Sequence, residues 1–470
     1  MTTYYWVGGG SGNTWAATAN TNWSLSSGGA NNAGPPTTGD SVIFDSNSGT
    51  SNSVIAASIS LASIDCTGGT GSYAGTLTHN TGVTLTISTA GAAALRFSTG
   101  MTYTPASVTA LVTFSNTSGT AAITCGGQKF WAILISGVGG TMQQQDALLV
   151  NAGTGAILTV TSGIFDCNGF ATTATIMSSA GALARSLLLG TIFTVGGNAA
   201  NATSVWNTVT TTNLTFTKNS CNIVVLPQSF AGPVYLHVFA GGGLTFNTVT
   251  VNPTSTQTIF QITGANTFGH LIIGSGWSIA LPGNSTTTIS NPFTWAGTPA
   301  LPMFIFNGAL NVLSTISCPS GACTLTWGGL INTPATTTGT ATFTAINSFN
   351  CGWSAGWSNT PPADETVSLS ANTVAVLNNT TGTVASGTVA AASSTTSLPT
   401  SAFTMDGTAA SGVVANQFVG RVVIFYGNTT TAGLQGTAVV ISASSASNTP
   451  TLTVAALPAS PASGDTFSVI

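Results

Sequence analysis

Charge is what this sequence has least of. Of its 470 residues, five are Lys or Arg and nine are Asp or Glu. Charged residues make up 3 % of the chain, against roughly 25 % in an ordinary soluble protein. Five basic side chains do not neutralise a run of phosphates, which excludes a nucleic-acid partner. Solvated disorder pairs low hydrophobicity with high charge, and this chain is 43 % hydrophobic. Long periodic stretches of Glu, Lys, Leu and Ala are missing, which excludes coiled coils and helical bundles. A membrane helix needs about 20 mainly apolar residues in a row. Mean hydropathy is +0.41, yet the most apolar stretch, 222–244, is broken by Pro227, Gln228, Ser229, Pro233 and His237. An outer-membrane barrel would need export, and Met1 to Trp6 carries neither the basic region nor the apolar core of a signal peptide. The expectation is a chain without membrane insertion that folds where it is made. Seven scattered Cys, an odd number, make no disulfide framework.

Thr, Ser, Asn and 56 Gly stand where charge would be. Between them run short β-favouring segments, such as Leu111-Val112-Thr113-Phe114, Ile157 to Thr161 and Leu214 to Thr217. Apolar residues and Thr alternate in these runs, the two-residue period of a half-buried strand. The runs also recur. Phe246-x-x-Val249-x-Val251 and Phe268-x-x-Leu271-x-Ile273 lie 22 residues apart, and Phe130-x-x-Ile133-x-Ile135 has the same shape. Asp65-Cys66-Thr67-Gly68 is echoed by Asp166-Cys167-Asn168-Gly169. Repeats of this length indicate stacked β units that bury one continuous core.

These patterns predict an all-β fold, a right-handed parallel β-helix with an N-terminal cap and a small C-terminal β domain. Residues 1–35, with Trp6, Trp15 and Trp23, form the cap, and 36–358 the β-helix. Residues 359–383 form a linker around Pro361-Pro362 and the adjacent acids Asp364 and Glu365, since a Pro pair cannot join a central strand. Residues 384–470 form the C-terminal β domain. Stacked sheets end in open edges, which proteins usually protect with charge. Here charge is scarce, so the expectation is a homotrimer whose neighbouring subunits and caps cover the edges.

Few residues offer chemistry. Hydrolysis of a glycoside requires two carboxyls about 5 to 9.5 Å apart. Region 36–358 holds Asp40, Asp45, Asp65, Asp146 and Asp166, and no Glu. Asp65 and Asp166 are the catalytic candidates, but in a repeated Asp-Cys-x-Gly the simpler role is to cap a turn, and several repeats separate them. A lyase would draw its cations from Arg96, Lys129, Arg185 and Lys218. His79, His237 and His270 have no paired spacing, and Cys318 and Cys323 lack the second pair a zinc site needs. A local disulfide and two free thiols are equally open for that pair. No metal and no cofactor are expected. Trp353 and Trp357 are the candidates for stacking against a glycan; the alternative role is to plug the end of the core.

The sequence resembles a group of tailed-bacteriophage proteins that form β-helical virion appendages. The resemblance rests on Tyr4 to Gly9, Asn22-Trp23-Ser24, Asp40 to Asp45, Gly137-Val138-Gly139-Gly140, Asn266 to Leu271 and Asn347 to Trp353, in that order along 1–358. Residues 384–470 resemble a small β module at the ends of phage structural proteins, through Ser394-Thr395-Thr396, Phe418 to Ile424, Gly433 to Gly436, Leu452-Thr453-Val454 and Gly464 to Phe467. That module often carries a basic residue after its Gly-x-Gln, and Thr437-Ala438-Val439 has none. The resemblance implies a non-enzymatic structural protein on the virion surface, made in the host cytoplasm. It is either a tail fibre or spike for host attachment, or a capsid decoration or head fibre. Its partners are then other virion proteins of capsid or tail, copies of itself, and a host-surface glycan as a further candidate. The competing readings are a tailspike polysaccharide depolymerase and a bacterial surface adhesin. An all-β chain predicts a far-UV circular dichroism spectrum without helical minima; substantial helix would overturn the fold reading.

Overall fold

A computed structural model describes residues 1–10, 12–16, 21–228, 235–307, 312–351, 354–362, 385–405, 408–426 and 429–470. Most of the expected linker falls outside this set, as does Trp353. Contacts divide the chain into two units, Met1–Thr366 and Val367–Ile470. Both are built from strands. Among the described residues, helix is confined to two three-residue 3-10 turns, Ser46–Ser48 and Ala432–Leu434, and no helix is long and apolar enough to cross a membrane.

The first unit is organised around one thirteen-stranded sheet, the spine, which runs from Ile59–Leu61 to Phe349–Asn350. A ten-stranded first flank ends at Leu214–Thr217, and a nine-stranded second flank runs from Leu148–Val150 to Ala335–Thr336. Two short sheets complete the unit: three strands near the start (Ser53–Ile55, Thr76–His79, Thr102–Pro105) and four near the end, from Thr294–Ala296 to Ser358–Thr360. The chain visits the sheets in rotation, so that each strand pairs with one from the next circuit. Among the described residues, all the ladders of this unit are parallel except that of Thr3–Trp6 with Trp23–Ser24. In the spine Leu85, Val112, Ile133, Leu158 and Met177 stand in successive register. All five are fully buried. The residues between them along each strand face outward, as the alternation of apolar residue and Thr requires.

The 22-residue echo is a direct pairing. Phe246 lies opposite Phe268, Val249 opposite Leu271 and Val251 opposite Ile273. The two Phe rings stack at 5.7 Å with 22° between their planes. Phe130-Trp131-Ala132-Ile133 has the same pattern but leads into the spine, whereas the Phe246 and Phe268 strands belong to the second flank. Sharp corners between strands fall on Asn in the left-handed region, at Asn168, Asn213, Asn219, Asn284, Asn332 and Asn347, because Asn tolerates that conformation better than other non-Gly residues. Close approach explains Gly137 and Gly140: a Cβ on either would sit 1.9 Å from the Asn116 carbonyl oxygen.

The number of sheets per circuit changes along the chain. Up to residue 217 the circuits include the first flank. Next, Gly241-Gly242-Gly243 turns a corner closed by a hydrogen bond from Leu244 N to Gly241 O. The following circuits alternate between spine and second flank alone until Thr294–Ala296 opens the four-stranded sheet. The apolar stretch 222–244 is accordingly two strands, Asn222–Leu226 and Tyr235–Ala240, in different sheets.

Aromatic side chains fill the interior. Trp206 stacks on Phe239 at 5.9 Å and meets Phe193 and Phe246 edge-on. At the first circuits Trp23 meets Trp6, Trp15 and Phe44 edge-on while Trp6 stacks on Phe44, with centroids 5.1 to 5.9 Å apart across the cluster. Trp15 Nε1 donates to Ser53 Oγ, and Trp23 Nε1 to the Trp15 carbonyl.

The second unit is a small closed antiparallel barrel. Its strands follow the order Ala385–Val389, Thr466–Val469, Val422–Phe425, Ala438–Ser444, Thr451–Val454 and Ser397–Met405, and the last pairs back with the first. Phe403, Phe418, Phe425, Ile441 and Phe467 are among the side chains of its core.

Trp206→Ala is expected to cost about 3–5 kcal/mol, the range for removing a large aromatic from a packed core. Ile272→Ala, at a side chain 51 % exposed, is expected to stay within about 0.5 kcal/mol. Urea unfolding of the two variants checks both values.

Candidate functional site

The five carboxylates of region 36–358 are all engaged by backbone or side-chain donors. Asp65 Oδ1 accepts from Thr67 N at 2.8 Å, and Asp166 Oδ1 from Asn168 N at 2.8 Å. Asp45 Oδ1 accepts from Asn47 N at 2.9 Å and caps the 3-10 turn. The three share one geometry, a carboxylate bound to the amide two residues on. Asp40 accepts from Thr2 N and Thr37 N. Burial alone would raise its pKa, and these bonds outweigh it, so the carboxyl lies below its ordinary value. Asp146 takes Cys125 N and Gly126 N on its two oxygens, at 2.7 and 2.8 Å.

Asp65 and Asp166 both lie on the first flank, with Asp65 opposite Arg96 and Asp166 opposite Gln143. Four inter-strand steps separate their strands. At about 4.8 Å per step this is roughly 19 Å, well beyond the spacing of a glycosidase pair. The Asp65–Arg96 contact is a 3.5 Å ion pair at the surface. Arg185, the third of the four cations a lyase would draw on, is 2 % exposed. Its guanidinium donates to Ser179 Oγ and to the carbonyls of Ser179, Leu183, Thr210 and Thr212. It is an internal staple, and burial lowers its pKa.

The three histidines part company. His270 is exposed on a second-flank strand. His79 is fully buried, 2.7 Å from Tyr103 Oη through Nδ1 and 3.0 Å from the Val83 carbonyl through Nε2. That pairing puts the proton on Nε2, donated to Val83, and leaves Nδ1 to accept from Tyr103. His237 is fully buried against Trp277, with ring centroids 5.7 Å apart. Among the described residues neither of its ring nitrogens has a hydrogen-bond partner; the Leu226 carbonyl nearby does not meet hydrogen-bond geometry. Burial pulls both imidazoles down to about 4.

Cys318 and Cys323 are free and buried, and burial pushes the Cys323 thiol up to about 12. Among the described residues no group of three or more His, Cys, Asp or Glu is placed to hold a metal. Trp357 is 9 % exposed, packs on Phe343 at 5.4 Å and donates from Nε1 to the Thr333 carbonyl at 3.1 Å. Its faces belong to the core and present no platform for a sugar. In the barrel, Asp465 receives Thr430 N, Thr431 N and Ala462 N. Burial opposes its ionisation, but these donors prevail and hold the carboxyl at about 2.

A groove of about 500 Å3 lies between the opening residues and the first spine strands, lined by Trp15, Pro35, Pro36, Ile59, Thr84 and Thr86 among others. Among the described residues no titratable side chain lines it. The buried roles of His79, His237 and Arg185 escaped sequence reasoning because each sits in a run whose inward face is settled only by register. Leu77, two residues before His79 on the same inward face, was the available signal there, whereas the Leu236-His237-Val238 alternation points the wrong way, since His237 is the inward member. No known family model, curated protein sequence or solved structure matches this chain.

Both buried histidines are neutral in the fold and take up a proton on unfolding below pH 6.5. Their contribution to stability is therefore fully present above pH 6.5 and is lost as pH falls towards 4. The shift corresponds to on the order of 3 kcal/mol per histidine. His237→Phe removes one titration and one unpartnered imidazole. The expected result is equal or greater stability at pH 7 and a shallower loss between pH 6.5 and 4, read from urea unfolding across that range. An unchanged acid slope would contradict the assignment.

Proposed function

We propose that the first unit is a right-handed parallel β-helix and that the chain is a non-enzymatic structural component of a bacteriophage virion. It acts as a homotrimer, either as a tail fibre or spike for host attachment or as a capsid decoration or head fibre. The observation that carries the non-enzymatic reading is the state of the carboxylates. All five in region 36–358 are bound into turns or loops, and the two candidates stand about four strand spacings apart. The long parallel ladders taken in rotation support the β-helix. Support for the virion comes from the order of motifs in 1–358 and 384–470 that resembles phage structural proteins.

An uncharged surface suits such a part. Rows of hydroxyls and amides bond from circuit to circuit, as in Ser63 Oγ to Ser41 Oγ at 2.9 Å, Thr250 Oγ1 to Asn222 Oδ1 at 3.0 Å and Thr78 Oγ1 to Asn52 Oδ1 at 2.8 Å. Such bonds do not depend on ionic groups and are little affected by salt. The expected partners are virion proteins of capsid or tail, with a host-surface glycan as the candidate ligand of the attachment form.

Gold-labelled antibody on intact particles tests the location. Label at the tail selects the fibre or spike, label on the head selects the decoration, and particles without label overturn the virion role. Incubation of the protein with host capsule or lipopolysaccharide is expected to release no oligosaccharide; release would establish the depolymerase instead.

A further inference from the structure

The outward faces of the three long sheets differ in kind. On the first flank the outward rows include Asp65, Arg96, Gln143 and Asp166. On the second flank Asn222, Thr248, Thr250 and His270 face out. The spine has no Lys, Arg, Asp or Glu in any of its thirteen strands. One of its outward rows is largely apolar, through Leu111, Ile157, Ile176, Val238, Phe306 and Ile331, with Ser204 and Gln261 as its polar members between Ile176 and Phe306. In the later circuits a second row adds Leu236, Ile259 and Phe304. All nine are partly exposed, while Ser278 and Ala280 between them are covered, at 3 % and 4 %. A shallow groove lies among Ile259, Phe304, Phe306 and Ile331. In the earlier circuits the neighbouring row is mostly hydroxyl, with Thr86, Thr113, Thr159 and Ser178 in register around Leu134.

We propose that this outward face of the spine is the surface through which copies of the chain associate, side by side, with their spines on a shared axis. Area and chemistry both point to it. Thirteen strands at about 4.8 Å make a strip about 58 Å long, and two to three side-chain rows make it about 13 Å wide, or roughly 750 Å2. A stable protein interface buries about 800 Å2 on each partner. An apolar centre beside hydroxyl rows is the usual anatomy of such a contact. The occupant follows from charge. A partner of ordinary composition would bring ionised groups over an apolar strip, where they lose water without gaining a counter-charge. A second copy presents the same uncharged strip, and around a rotation axis the strip meets itself.

The inference rests on the proposed function only in taking the chain to work as several copies, and its test is independent of where on a particle the protein sits. Light scattering on the full chain is expected to give a multiple of 46.7 kDa. The double variant Ile157→Asn/Phe306→Asn is expected to fall to one chain with an unchanged far-UV spectrum. The control Ile192→Asn/Ile272→Asn, at exposed positions of the second flank, is expected to keep the wild-type mass. Where the spine variant does not fold, Phe306→Cys supplies the second measurement. Mild oxidation is expected to link its copies, and Ile272→Cys is not expected to do so. A wild-type mass of one chain overturns the proposal and assigns the strip to another occupant. A folded spine variant that keeps its mass, or equal cross-linking at positions 272 and 306, overturns it as well. A wild type of two chains that the spine variant dissociates supports the surface and overturns the trimer.

Discussion

Register is the constraint on which the first unit depends. In a parallel stack each inward side chain lies directly over its counterpart one circuit later, so every position must suit both its own strand and its two neighbours. Phe246 over Phe268, and Leu85 to Met177 through three intermediates, show it being met. A slip of one residue would turn each of these faces outward and bring Thr into the core. The corners enforce the register: Asn in the left-handed region and Gly where backbones touch leave little freedom in the length of a circuit.

The scarcity of charge acquires a physical meaning from this arrangement. Stacked rungs place like beside like, and stacked charges of one sign would repel at about 4.8 Å separation. Hydroxyls and amides on the same rows bond instead. Several of the few ionisable groups that remain are held in place by burial or by backbone groups: Arg185 by four carbonyls and a hydroxyl, Asp146 by two amides, and His79 between Tyr103 and Val83. Titration therefore acts mainly on stability, with the two neutral histidines setting the acid side for the first unit and Asp465 resisting protonation until about pH 2 in the barrel.

Much of this was legible along the chain. Strand alternation, the 22-residue echo and the turn role of Asp65 and Asp166 are local patterns, and local geometry decides them. The buried place of Trp357 followed from the cost of exposing a large aromatic. Other features depend on residues far apart in sequence. Arg185 had appeared as a cation available to a substrate, whereas carbonyls of residues 210 and 212 surround it. Phe130 had appeared as a third copy of the Phe246 motif, yet its strand enters a different sheet. The end of the first flank at Thr217 and the start of a new sheet at Thr294 carry no local mark except three consecutive glycines.

By itself the sequence determined that the chain is all β, that its surface is nearly free of ions and that carboxylates are few. These follow from composition and two-residue periodicity, which act within a strand. Tertiary structure alone decided which circuits carry which sheets, which histidines are buried, and that one outward face of three carries a largely apolar row between Leu111 and Ile331. Those properties belong to rows that run across strands, where neighbours in space are a full circuit apart in the chain.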